Sequence, residues 1–145
     1  MRIHVNRNKP LPLESSIQLP EQLNKLTLAE AVRFGIVDGN VGQHARNALL
    51  KAFYLVCLAL RVDFMLVCAR YPVHKLYLGL LFQDISPNDE SVKLSYANNI
   101  PHRLLKLGTN EVESLWEQNQ HSLYRYFFKT RHPDLDEVIH CIHSS

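Results

Sequence analysis

Apolar residues recur at three- and four-residue spacing from Gly42 to Leu60, at Ala45, Ala48, Leu49, Ala52, Phe53, Val56 and Leu60. That period puts them on one face of a helix. The polar residues Gln43, His44, Arg46, Asn47 and Lys51 fall in its first half. The second half is apolar nearly all round and predicts cover on more than one side. Val62 to Ala69 is an apolar run of strand length, and apolarity on both faces predicts a central strand. Taken together, Ala52 to Ala69 has the length of a membrane span, but Arg61 and Asp63 sit at its middle. Charges there are costly in a bilayer, so the run reads as a buried helix followed by a buried strand, with no membrane span.

Shorter patterns fill in the rest. Ile3 and Val5 alternate with polar neighbours in a strand from Arg2 to Arg7, which Pro10 and Pro12 break. Leu28 to Val37 predicts a strand closing at the turn pair Asp38-Gly39. Pro72 opens a short helix from Val73 to Gly79, and Leu81 to Ile85 reads as a strand. Val92 to Tyr96 and His102 to Leu107 predict a strand pair. Thr109 is the expected N-cap of one amphipathic helix carrying Val112, Leu115, Trp116, Leu123, Tyr126 and Phe127. Alternating elements indicate an α/β (α+β) fold, and the late strand pair indicates a mixed sheet with flanking helices. The patterned domain covers residues 1–135, and 136–145 form a C-terminal tail.

Composition narrows the function classes. A chain of 145 residues, 46% hydrophobic, suits one domain with a real core. A net charge of +2 without a Lys/Arg cluster argues against nucleic acid as a partner. Cys57, Cys68 and Cys141 show no paired framework and read as reduced thiols of a cytoplasmic protein. His140-Cys141-Ile142-His143 lacks the second half of a zinc site, so no metal is expected.

Three segments carry candidate chemistry. Glu30 and Arg33 interrupt an apolar strand, and buried charges are costly unless paired. The strand either lines a substrate cleft or is an edge with solvated charges. In Asp38 to Arg46 a strand passes through a glycine-containing turn into a helix. Gly39 and Gly42 would let a phosphate approach the free N–H groups of the helix start, with His44 and Arg46 as further donors. An ordinary turn and helix start is the alternative. Tyr77 on the short helix could face a leaving thiolate or belong to the core.

In order along the chain, these segments resemble one family. Glu30-x-x-Arg33-Phe34 is similar to the Glu-x-Ser/Thr-Arg-Phe/Leu strand of the autoinducer synthases and the bacterial long-chain N-acyl amino acid synthases, which are GNAT-superfamily acyltransferases. Val32 replaces the usual hydroxyl residue. Tyr77-Leu78-Gly79-Leu80-Leu81-Phe82 resembles their Tyr-x-x-Leu-Gly-Phe helix end, and Tyr96 to Pro101 resembles their Tyr…Val-Asn-Gly-x-Pro connection. Tyr124 to Phe128 followed by His132-Pro133-Asp134 resembles their C-terminal helix ending. The chain looks like a member without its N-terminal third, so the GNAT-like sheet is expected to be N-terminally incomplete and the chain to self-associate. The resemblance implies transfer of an acyl group from an acyl carrier protein or coenzyme A thioester to the amine of an amino acid. It implies Glu30 as base and Arg33, Phe34, Gly35, Ile36, Gly39, Gly42, His44, Arg46 and Tyr77 as donor-binding residues. Ala45, Leu49 and Phe53 would wall an acyl groove. A truncated, non-catalytic homologue that binds a carrier or protein partner is the alternative.

Overall fold

Side chains alternate across the strand Leu28–Val32 (β2), and this sorts the molecule into two layers. Ala29 and Ala31 face a core built with the long helix Gly39–Ala59 (α2), including Leu50, Phe53, Tyr54 and Cys57. Leu28 faces the opposite way, into a leucine cluster of Leu11, Leu13, Leu19, Leu23, Leu66 and Leu104. A 3-10 turn, Pro12–Ser15, and a short helix, Glu21–Asn24 (α1), hold that second cluster on the sheet. The computed structural model describes residues 1–32, 39–86, 91–94 and 100–135.

The other strands are β1 (Arg2–Val5), β3 (Phe64–Arg70), β4 (Gln83–Asp84), β5 (Val92–Lys93) and β6 (Pro101–Gly108). They lie in the order β1-β2-β3-β6-β4, with β5 also on β6. Among the described pairs only β2 and β3 run parallel, so the sheet is mixed, as the sequence predicts. The predicted run Val62 to Ala69 appears as β3, central between β2 and β6. Arg61 and Asp63 lie in the turn between α2 and β3, where Asp63 Oδ2 accepts the Thr27 N–H at 2.8 Å. Among the described residues no helix is long and apolar enough to cross a membrane.

Three expectations need correction. The long helix starts at Gly39, not Gly42, so the glycines belong to its first turn rather than to a turn before it. Thr109 does not cap the next helix; its hydroxyl is buried without a partner, and Glu111 stands at the cap of Val112–Gln118 (α4). The single amphipathic helix is two, α4 and Tyr124–Phe128 (α5). Gln120 takes φ 51°, and the His121 N–H closes back onto the Trp116 carbonyl at 2.9 Å. The resulting bend lets Phe127 pack on Trp116, ring centres 4.7 Å apart. The described parts of the other strands match their predicted places, and the pairing of β5 with β6 is as expected. The segment from Arg33 to Val37 lies outside the described residues.

Candidate functional site

The site begins with a break in the sheet. β2 pairs with β3 from Leu28↔Phe64 to Glu30↔Leu66 and no further. Yet β2 stays paired to β1 as far as Val32, and β3 stays paired to β6 as far as Arg70. Each strand keeps its outer neighbour while the inner ladder stops. Among the described residues the β2–β3 ladder thus leaves a gap after Glu30↔Leu66. In an open α/β sheet, the carboxyl ends of parallel strands are where ligands bind.

Connectivity brings two helices to that end. α2 follows β2 after residues 33–38, and the helix His74–Gly79 (α3) follows β3 after a three-residue link. Between them lies a cleft of about 290 Å³, lined on the α2 side by Gln43, Arg46, Asn47 and Leu50, and on the α3 side by Lys75, Leu76 and Tyr77. The first four N–H groups of any helix lack an intrahelical acceptor. Gln43 lies within a turn of them, so the cleft reaches the positive end of α2. Arg46 and Tyr77, both singled out in the sequence, meet here. Tyr77 is buried, its ring edge-on to Phe82 at 5.3 Å. Burial pushes its hydroxyl up to about 12, against a lowering pull from Arg46. It thus keeps its proton at neutral pH.

The third wall was not legible. His121 stacks on Trp116 at 4.3 Å and meets the Gly79 carbonyl through Nε2 at 2.9 Å. Trp116 Nε1 donates to the Leu80 carbonyl at 2.9 Å. These bonds pin the end of α3 and, through His121, close the cleft. Nothing in the spacing of His121 signals that role.

Other candidates fall elsewhere. His44 is exposed and does not line the cleft. Of the expected acyl-groove residues, Ala45 is exposed and Phe53 is core; Leu50 rather than Leu49 lines the cleft. Glu30 points to the opposite face of the sheet, into the leucine cluster. It is fully buried, and its Oε1 accepts the Leu13 N–H at 2.9 Å. β2 is flanked on both sides, so the reading of Glu30 as a solvated edge charge is overturned. Arg33, Phe34, Gly35 and Ile36 lie outside the described residues, as do Cys141 and the His140–His143 segment. Among the described residues no group of His, Cys, Asp and Glu could hold a metal.

No protein-family model matches the sequence, and no curated protein matches it. Among solved structures, the chain is similar to FeeM, an N-acyl amino acid synthase from uncultured soil microbes, with a TM-score of 0.57 at 20% identity. The two share a fold. The similarity covers 86% of this chain and 65% of that one, so the chain spans about two thirds of the length of its neighbour. At the level of fold, the resemblance carried by the Glu30, Tyr77 and Tyr96 segments is borne out.

Proposed function

We propose that the chain is the donor-binding part of an N-acyltransferase. The phosphopantetheine of an acyl carrier protein or coenzyme A thioester lies in the cleft between α2 and α3. The thioester reaches the gap between β2 and β3, and the acyl group passes to the amine of an amino acid. The observation that carries this reading is the cleft between α2 and α3, where Arg46 and Tyr77 meet.

In that reading Glu30 takes a proton from the acceptor ammonium through a water that enters the gap, because its side chain is buried on the face away from the cleft. The amine nitrogen then bonds to the thioester carbon, and negative charge builds on the carbonyl oxygen. The C–S bond breaks as the nitrogen sheds its second proton to solvent; the thiolate takes a proton from Tyr77, Tyr77 regains one from solvent, and the proton held by Glu30 is the one released overall. Arg46 pairs with phosphate. A second reading, carrier binding without turnover, draws on the full burial of Glu30 beneath Leu13.

Calorimetry separates donor binding from its absence. A long-chain acyl coenzyme A should bind, and Arg46→Ala should weaken it by roughly tenfold to a hundredfold, the scale of a charge-assisted hydrogen bond. A pantetheine thioester without phosphate should be insensitive to the substitution. No binding of either thioester overturns the proposal.

A further inference from the structure

α3 is only six residues long, too short to be stable by itself, so its place is set by what it touches. Two ring nitrogens reach its C-terminal end. Trp116 Nε1 donates to the Leu80 carbonyl at 2.9 Å, and His121 Nε2 donates to the Gly79 carbonyl at 2.9 Å. The two rings are stacked, 14° from parallel with centres 4.3 Å apart. The last carbonyls of a helix have no partner within it. Here two successive ones are held by one stacked pair.

The two rings differ in kind. Trp116 is buried and packs on Phe127 and Phe128. His121 is half-buried and lines the donor cleft beside Ser122 and Leu123. The bend at Gln120 delivers it there, and the Leu123 N–H donates to its Nδ1 at 3.1 Å. Accepting at Nδ1 and donating at Nε2 belong to a single tautomer. The ring is therefore fixed at both nitrogens, at one by its own bend and at the other by α3, 42 residues back in the chain. Without the ring the Gly79 carbonyl loses its donor, and the hold on the end of α3 falls to the Leu80 bond. Tyr77 lies two residues before Gly79, and Lys75 and Leu76 ride on the same helix. All three line the cleft that Arg46 faces from α2, so a shift of α3 changes the width of that cleft.

We propose that His121 is a positioning residue of the donor cleft. Its bond to Gly79 holds α3, and with it Tyr77, at the distance from Arg46 at which the thioester is bound. The role rests on the donor reading given above. His121 acts through α3 and not on the reacting atoms, since both its nitrogens are engaged within the protein.

Two substitutions separate the two bonds of the ring. In His121→Gln the amide nitrogen stands near the place of Nε2 and can still donate to Gly79. In His121→Asn the shorter side chain keeps an acceptor for the Leu123 N–H but does not reach Gly79. A long-chain acyl coenzyme A is titrated calorimetrically into the whole chain and into each variant, with amide exchange across α3 followed on the same samples. The Gln variant should bind within about twofold of wild type and the Asn variant roughly threefold to tenfold more weakly, the scale of one lost hydrogen bond. Exchange in α3 should rise in the Asn variant alone. The reverse order assigns His121 to the local bend and overturns the inference, as does equal binding by all three proteins. Should the Asn variant fail to fold, the Gln variant decides: binding close to wild type supports the inference, and lost binding overturns it. A wild-type chain that binds no thioester sinks the donor reading and this role with it. Equal binding by wild type and both variants sinks this inference alone and leaves the donor cleft standing.

Discussion

Glu30 puts a carboxylate among leucines, and its environment sets two demands on any substitution there. Its Oε1 is an acceptor for the Leu13 N–H, which would otherwise be buried without a partner. Its second demand, in the proposed reaction, is a proton affinity that only a carboxylate has. Glu30→Gln keeps the first and removes the second. Turnover should fall by on the order of a hundredfold, the scale of a general base, while the thermal midpoint barely moves. Thiol release and a melting curve on the same variant separate the roles. Full turnover in the variant removes Glu30 as the base, and a large drop in melting temperature assigns it to the fold. The alternation of Leu28, Glu30 and Val32 made the facing of Glu30 legible in the sequence. Its cover was not, because Leu11, Pro12 and Leu13 have no periodicity that assigns them a partner.

On the scale of elements, α2 has two unlike halves. Its apolar period was legible, because burial against the sheet imposes it. Lys51 was legible only as a polar residue of the first half, the half expected to need less cover. It is buried, and its Nζ meets the Tyr126 carbonyl at 2.8 Å, the Thr130 carbonyl at 2.6 Å and His132 Nδ1 at 2.7 Å. These partners lie 75 to 81 residues further on, a distance at which spacing carries no information. A buried ammonium at the end of α5 is favourable because its donors are satisfied and the helix carbonyls point there. Lys51→Met removes the donors and leaves buried carbonyls, at a cost of about 1–3 kcal/mol. The melting temperature should fall by several degrees, about 3 °C per kcal/mol at this chain length. Amide exchange should rise across Tyr126 to Thr130. An unchanged melt and unchanged exchange would show that α5 does not depend on Lys51. The bend at Gln120 was also hidden, since Trp116, Leu123 and Phe127 fit one continuous helical stripe as well as they fit two short helices.

On the scale of the whole molecule, the fold follows from a few local rules acting together. A parallel crossover through α2 sets β2 beside β3, and two antiparallel strands on β6 complete a mixed sheet. The class and the order of the strands with α2 and α3 were legible because each follows from its own period, whereas the 3-10 turn, α1 and the split of α4 from α5 were not. The gap between β2 and β3 was not, since it arises from strands keeping their outer partners while losing each other. That gap and the cleft between α2 and α3 are what the acyltransferase proposal draws on. Its most direct test combines a long-chain acyl thioester, an apolar amino acid and the purified chain, following free thiol and product mass together. The account predicts thiol release that requires the amino acid and is matched by an N-acyl amino acid in equal amount. Thiol release indifferent to the amino acid, or a bound thioester from which no amide forms, would contradict it.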